Sequence, residues 1–139
     1  MPCTYMVALD GKVVIERWTG TVTGQELMAH KLQQVGDPSI KLGASVLSDC
    51  TGAAFAIAPS EIRELSAMDQ DPKSTLKVRR YAFLVNNDTY DKARSFSDQI
   101  NKTGKSAIIF NSLDVAASWL GLEAPQVRAL MDRIGDQAV

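Results

Sequence analysis

The sequence predicts an α/β domain in which an N-terminal β-hairpin is followed by alternating helices and strands. Two observations indicate this order. A turn of the Asp-Gly type, Asp10-Gly11, joins two runs rich in β-branched residues, which is the pattern of a hairpin. After it, helical and strand patterns alternate three times and a further helix follows, as in sheets with parallel strands. We therefore expect a mixed sheet with helices packed on it, in a single domain spanning residues 1–139.

The first elements are the two hairpin strands and a helix. The strands are predicted at Thr4–Leu9 and Lys12–Trp18, with Thr19-Gly20 ending the second. Thr23 followed by Glu26 three residues later is a capping box, so a helix begins there and ends at Gly36-Asp37-Pro38. Its inward face is predicted from helical spacing to comprise Leu27, Met28, Lys31, Leu32 and Val35.

The rest of the chain alternates strand and helix. The predicted strands lie at Leu42–Ser48, ending at Asp49, at Leu76–Val85 and at Ser106–Phe110. The first predicted helix begins at Pro59 and has Ile62, Leu65, Ala67 and Met68 inward. The helices that follow are predicted at Tyr90–Asn101, from a cap at Ser112 or Asp114 through Leu120, and at Pro125–Ile134. The last helix carries the apolar stripe Val127, Leu130, Met131 and Ile134, which is predicted to pack within the domain or against a second copy.

Charge and composition exclude several function classes. The chain has 15 Lys and Arg against 16 Asp and Glu, so no broad basic surface for nucleic acid is expected. No apolar run approaches the roughly 20 residues of a membrane span, and no signal peptide is evident, which favours the cytoplasm. Cys3 and Cys50 form neither a disulfide framework nor a zinc spacing motif, and no cofactor or metal is predicted. His30, the sole histidine, lies off the predicted inward stripe and is expected to face solvent.

The second half of the chain resembles the SpoIIAA-like proteins of the STAS-related superfamily. The resemblance rests on the strand and polar turn 81–87, on the strand 107–110, and on a closing phrase in which Phe110 is followed by Ala116, Trp119 and Leu120. It covers roughly Thr4 to Leu122, so residues 123–139 are interpreted as a C-terminal helical extension. Its motifs are mostly structural and support the fold better than a function.

The resemblance implies a non-enzymatic protein-interaction or regulatory module. Anti-sigma-factor antagonists of that superfamily are phosphorylated at a Ser or Thr within an Asp-Ser-Ser/Thr-Gly motif at a helix N-terminus. Asp49-Cys50-Thr51-Gly52 matches this motif except for its cysteine, and Ser60 is the equivalent by helix position. Thr51 and Ser60 are therefore candidate phosphorylation or interaction sites, with a protein partner and a homodimer as expected assemblies. The alternative for both hydroxyls is that they organise the turn and the helix start.

Other candidates lie at the carboxyl ends of the predicted strands. Asp49, Asn86, Asn87 and Asn111 would gather at one rim, where open α/β sheets bind ligands, although the same residues are typical of tight turns. The apolar segment 53–58 would line a groove beside that rim. SpoIIAA-like domains resemble lipid-binding CRAL-TRIO domains in fold, so a small apolar-ligand carrier is the alternative function, and an enzyme with an unrecognised site is third.

Two further features have structural interpretations. Lys77, Arg79 and Arg80 crowd one strand and predict either an edge strand protected by charge or a local anion patch. Trp119 is expected in the core and Cys50 as a buried thiol at a strand end.

Overall fold

A computed structural model describes residues 3–70, 78–102 and 104–137 of the chain, without the side chains of 66, 68–70 and 135–137. Five strands and five helices lie in these ranges. In chain order they are β1 (Cys3–Ala8), β2 (Val13–Thr23), α1 (Gly24–Val35), β3 (Ala44–Ala56), α2 (Pro59–Gln70), β4 (Val78–Leu84), α3 (Tyr90–Asn101), β5 (Ser106–Phe110), α4 (Leu113–Trp119) and α5 (Ala124–Gln137).

The strands form one mixed sheet in the order β1-β2-β3-β4-β5. β1 is antiparallel to β2, whereas β2 to β5 are mutually parallel. The predicted α/β fold with a mixed sheet is therefore confirmed. The prediction of an edge strand around Arg79 and Arg80 is wrong, because β4 pairs with β3 on one side and β5 on the other. Arg80 instead lies 5.7 Å from the ring centroid of Trp119, and Lys77 lies outside the described residues.

One face of the sheet is covered by α4 and α5 and carries a cluster of buried apolar side chains. Successive side chains of a strand point to opposite faces, so Val13 and Ile15 of β2 and Leu47 of β3 point to this side. The C-terminal stripe packs on them: Val127, Met131 and Ile134 are buried and Leu130 is half-buried. The stripe therefore packs within the chain. Trp119, predicted in the core, is half-buried and contacts Phe110.

β2 and β3 are longer than predicted. β2 continues through Thr19 and Gly20 to Thr23, and β3 continues beyond Asp49 to Ala56. Past a bulge at Trp18, the two extensions pair in parallel register, so each satisfies backbone groups of the other. The predicted strand ends at Thr19-Gly20 and Asp49 are wrong because this long-range pairing overrides the local signals of Gly and Thr.

The hairpin loop also differs from the predicted two-residue turn. Ala8 pairs with Val13, which leaves four residues in the loop. Leu9, Asp10 and Gly11 all have positive φ, with Gly11 at +85°. A Cβ on Gly11 would lie 2.3 Å from the carbonyl oxygen of Ser39, so glycine is required there both for its φ and for this close approach.

The starts of the helices agree with the sequence-based predictions better than the strand ends and the hairpin turn do. Thr23 and Glu26 form the predicted capping box of α1, Pro59 begins α2, and the Ser112 side chain caps α4. On α2, Ile62 and Leu65 are buried as predicted. Ala67 is exposed rather than inward, and the side chain of Met68 lies outside the described residues.

Candidate functional site

A cavity of about 80 Å³ lies between the sheet and the three helices α1, α2 and α3. Aromatic side chains dominate its walls, and five of the nine aromatic residues of the chain line it. These five are Trp18, Phe55, Tyr81, Phe83 and Phe96. Leu27, Leu65 and Ile100 add apolar surface, and Lys31 and Lys92 also line the cavity. A concave, mainly apolar space with a few polar groups is the usual character of a small-molecule site.

The polar part of the cavity wall is a buried cluster around Glu16. The carboxylate oxygen Oε2 of Glu16 lies 2.6 Å from Nε2 of His30 and accepts a hydrogen bond of 2.9 Å from Nε2 of Gln34. All three side chains are at most 9% exposed. Glu16 comes from the centre of β2, whereas His30 and Gln34 are four residues apart on α1 and therefore share one helical face.

The expectation that His30 faces solvent is wrong, and the predicted inward stripe of α1 is right only in part, since Leu27 and Lys31 line the cavity. The buried residues of α1 are Gly24, His30 and Gln34, whereas Leu32 is 55% exposed. The physical reason is Glu16. A carboxylate buried under the helix needs hydrogen-bond donors, and the polar face of α1 supplies them.

The aromatic rings around His30 fix its orientation. The ring of Trp18 contacts the imidazole edge to face at 4.8 Å, and that of Tyr5 does so at 5.5 Å. Trp18 also donates its Nε1 hydrogen to Oγ of Ser48 at 3.1 Å. Aromatic rings and hydrogen bonds therefore contact the Glu16–His30 pair from several sides.

The electrostatics of Glu16 result from two opposed effects. Burial alone raises the pKa of the carboxyl, but the charge and hydrogen bond of His30 lower it, as do hydrogen bonds from Ser48 and Trp18. Together these partners outweigh burial, so the pKa of Glu16 lies below its usual value. The cavity thus contains a stable buried carboxylate.

The two thiols are both free and buried. Burial raises the pKa of Cys50 to about 12, against which a hydrogen bond from Ser48 acts weakly. Burial also raises the pKa of Cys3, and the nearby Glu16 carboxylate adds to that rise. Cys50 is buried as predicted, although it lies within β3 rather than at a strand end. Protonated thiols are poor nucleophiles, so neither cysteine is activated in this arrangement.

Three of these side chains have the donor atoms of a metal site. The ligand atoms of Cys3, Glu16 and His30 all lie within 4.8 Å of one another, and they come from β1, β2 and α1. The sequence did not predict this cluster, because its spacing matches no local motif. The available signals were a Glu directly after Val13, Val14 and Ile15 in a strand, and polar residues at i and i+4 on the helix that follows.

The candidate hydroxyls lie away from the cavity. Thr51 is exposed on the extended part of β3, where its hydroxyl donates to Asp49 at 2.7 Å. Asp49 is buried and also pairs with Arg17 at 3.4 Å. Ser60 is exposed in the first turn of α2. Of the two hydroxyls, Ser60 alone is therefore at a helix N-terminus.

The predicted rim is brought together in part. Asn86, Asn87 and Asn111 line one shallow depression beyond the ends of β4 and β5, and Asp49 is not among its lining residues. The amide of Asn86 donates to the carbonyl of Thr51 at 2.8 Å. From the segment 53–58, Phe55 alone lines the cavity.

Comparison with known proteins shows that the chain has a SpoIIAA-like fold. A similar solved structure is that of an uncharacterized protein of the DUF3478 family from Shewanella loihica PV-4, described as having a SpoIIAA-like fold. The two structures superpose with a TM-score of 0.55 over 85% of this chain and 93% of that one, at 14% sequence identity. No protein-family model matches the sequence, and no curated protein matches it. The resemblance expected from the closing strand–helix unit is thus confirmed for the fold.

Among the described residues, no helix is both long and apolar enough to cross a membrane.

Proposed function

We propose that this protein is a non-enzymatic binding module whose cavity holds a small, mainly apolar ligand with one polar group. The single observation that carries this proposal is the cavity itself. Its aromatic walls end at a carboxylate–imidazole pair that is buried and lines the same space. Apolar walls supply affinity, and a fixed polar pair selects the orientation of the ligand.

Burial of the Glu16–His30 pair brings no gain in stability over apolar packing, which supports a functional role for the pair. Burying an ion pair is generally no better for stability than packing apolar residues of the same volume. The opposite face of the sheet carries a large cluster of buried apolar side chains. A polar cluster retained beside a cavity is a common mark of a functional site.

A regulatory module is the second candidate, and the exposure of Ser60 favours it. Ser60 lies in the first turn of the twelve-residue helix α2. A phosphate there would lie at the positive end of the helix dipole. Thr51 is equally exposed but belongs to a strand and is bonded to Asp49. A protein partner, a homodimer and a cytoplasmic location stay predictions.

The first experiment is mass spectrometry of the full chain purified from its source cells, under native and denaturing conditions. A mass increment that is lost on denaturation supports the ligand carrier. A phosphate increment mapped to Ser60 or Thr51 supports the regulatory module instead. An unliganded, unmodified protein that also fails the binding assay below contradicts both.

The binding assay uses the two tryptophans of the chain, which lie on different faces of the sheet. Trp18 lines the cavity, whereas Trp119 packs on the α4–α5 side, so a Trp119→Phe variant isolates the fluorescence of Trp18. Cyclohexanol, which is apolar with one neutral hydroxyl, serves as the probe, and binding should change the Trp18 emission and raise the melting temperature. Ala93→Leu, which fills the cavity from α3, should abolish both effects. Ala129→Leu, at an exposed position on α5, should leave them unchanged.

A further inference from the structure

The Nε2 atom of His30 faces more polar atoms than one ring nitrogen can satisfy. It lies 2.6 Å from Oε2 of Glu16, 2.9 Å from Nε2 of Gln34 and 3.8 Å from Sγ of Cys3. A ring nitrogen carries either one hydrogen or one lone pair. With the hydrogen it donates to Glu16 and lies 2.9 Å from the Gln34 amide nitrogen, which is also a donor. With the lone pair it accepts from Gln34 and opposes the carboxylate. In either state one close contact is unfavourable.

A cation among these atoms removes the conflict. We propose that Cys3, Glu16 and His30 bind a divalent transition-metal ion of the Zn²⁺ type, through Sγ, a carboxylate oxygen and Nε2. Thiolate, imidazole and carboxylate are the ligands that Zn²⁺ takes in proteins. The lone pair of His30 and the charge of Glu16 would then both point at the same ion. Gln34 would turn its amide so that the oxygen, rather than the nitrogen, faces the site.

Two of the three distances between the ligand atoms can be compared directly with those that such an ion requires, and all three lie within 4.8 Å. Zn–S and Zn–N or Zn–O bonds of about 2.3 and 2.0–2.1 Å in a tetrahedron separate the ligand atoms by roughly 3.3–3.6 Å. The Sγ–Nε2 distance of 3.8 Å is near that range. The Nε2–Oε2 distance of 2.6 Å must open by roughly 0.7 Å, which a side-chain rotation achieves.

Charge and proton balance are also favourable. Binding breaks the S–H bond of Cys3, forms an S–Zn bond and releases the proton to solvent. A hydrogen on Nε2 of His30 is released in the same way, so that the lone pair of this nitrogen binds the ion. Thiolate and carboxylate then carry two negative charges that the divalent ion neutralises, which suits a buried site. Glu16 and His30 both line the cavity, so the fourth coordination position faces the space in which a ligand would bind. Three protein ligands with one open position is the arrangement of zinc sites that exchange a ligand.

The test is a Co²⁺ titration of the full chain, stripped with a chelator under reducing conditions. One equivalent should produce a thiolate-to-cobalt charge-transfer band, and Zn²⁺ should displace it. Cys3→Ser should abolish the band, whereas the matched variant Cys50→Ser, which alters the other buried thiol, should keep it. His30→Gln should lower the Zn²⁺ affinity by about 100-fold or more, beyond the effect of losing an outer hydrogen bond.

A measurement on the wild type keeps the test independent of how the variants fold. X-ray absorption of the Zn²⁺-loaded protein should show one sulfur and two or more nitrogen or oxygen ligands. Absence of a sulfur ligand, or a cobalt band that persists in Cys3→Ser, would overturn the proposal. So would a wild-type protein that binds no Co²⁺ at saturating concentration. None of these results depends on whether the cavity holds an organic ligand.

Discussion

Removing His30 should destabilise the protein more than removing its partner Glu16. In a His30→Leu variant the carboxylate stays buried and keeps only neutral donors, from Gln34, Trp18 and Ser48. Breaking a buried pair in this way costs about 3–5 kcal/mol. That is a large part of the roughly 5–15 kcal/mol by which a domain is stable, and it corresponds to a fall in melting temperature of about 10–20 °C.

A Glu16→Met variant should cost less, about 2 kcal/mol, because neutral partners remain bonded to each other. Trp18 still donates to Ser48, and the lone pair of His30 accepts from the Gln34 amide at 2.9 Å. The double variant should be more stable than His30→Leu alone, since two apolar side chains replace the pair in apolar surroundings.

The assay is urea unfolding of the chelator-treated protein, arranged as a double-mutant cycle. The matched control is the pair of Asp114 with Arg128, whose side chains are 61% and 55% exposed. Arg128→Ala should cost less than about 1 kcal/mol. Two results would refute the assignment of Glu16 as a buried carboxylate that depends on His30. One is a loss in the free energy of unfolding for His30→Leu as small as that for Arg128→Ala. The other is a loss in the double variant equal to the sum of the losses in the two single variants.

Two predictions concern pH, both for metal-free protein. Because the folded state lowers the pKa of Glu16, its contribution to stability is complete above the ordinary pKa of 4.5 and is lost as the pH falls below that value. A Glu16→Gln variant should therefore lose less stability than wild type in this acid range. An acid slope in urea unfolding that is the same as that of wild type contradicts this prediction. Burial raises the pKa of Cys50 from 9.0 to about 12, so its contribution is complete below pH 9 and is lost as the pH rises toward 12. Cys50→Ala should make the alkaline slope shallower than that of wild type, and equal slopes would argue against a buried thiol.

The sequence predicted the fold well because strand and helix periods are local signals. β5 and α3 have the predicted bounds, and the capping box of Thr23 begins α1 where expected. The local sequence could not predict the lengths of β2 and β3, since the extended part of each strand forms by pairing with the other. Residues such as Gly20 therefore looked like strand ends.

The candidate site was missed for a related reason. Helical periodicity assumes that the inward face is the apolar one, and this rule holds for α5 but only in part for α1. The burial of His30 depends on Glu16, which is 14 residues away on another element. Spacing within one element cannot reveal such a partnership, whereas a charged residue in the middle of a buried strand is a signal that a partner exists.

The two faces of the sheet therefore differ in what they contribute. The α4–α5 face carries a buried apolar cluster, so substitutions at Val127 or Ile134 should act on stability alone. The α1–α3 face carries the cavity and the polar cluster around Glu16, and it gives up packing density to keep them. α1 contributes the polar side chains His30 and Gln34 to the cavity wall in addition to Leu27. Because tight packing on one face already holds the sheet together, the other can carry a buried charge and an open space without loss of the fold.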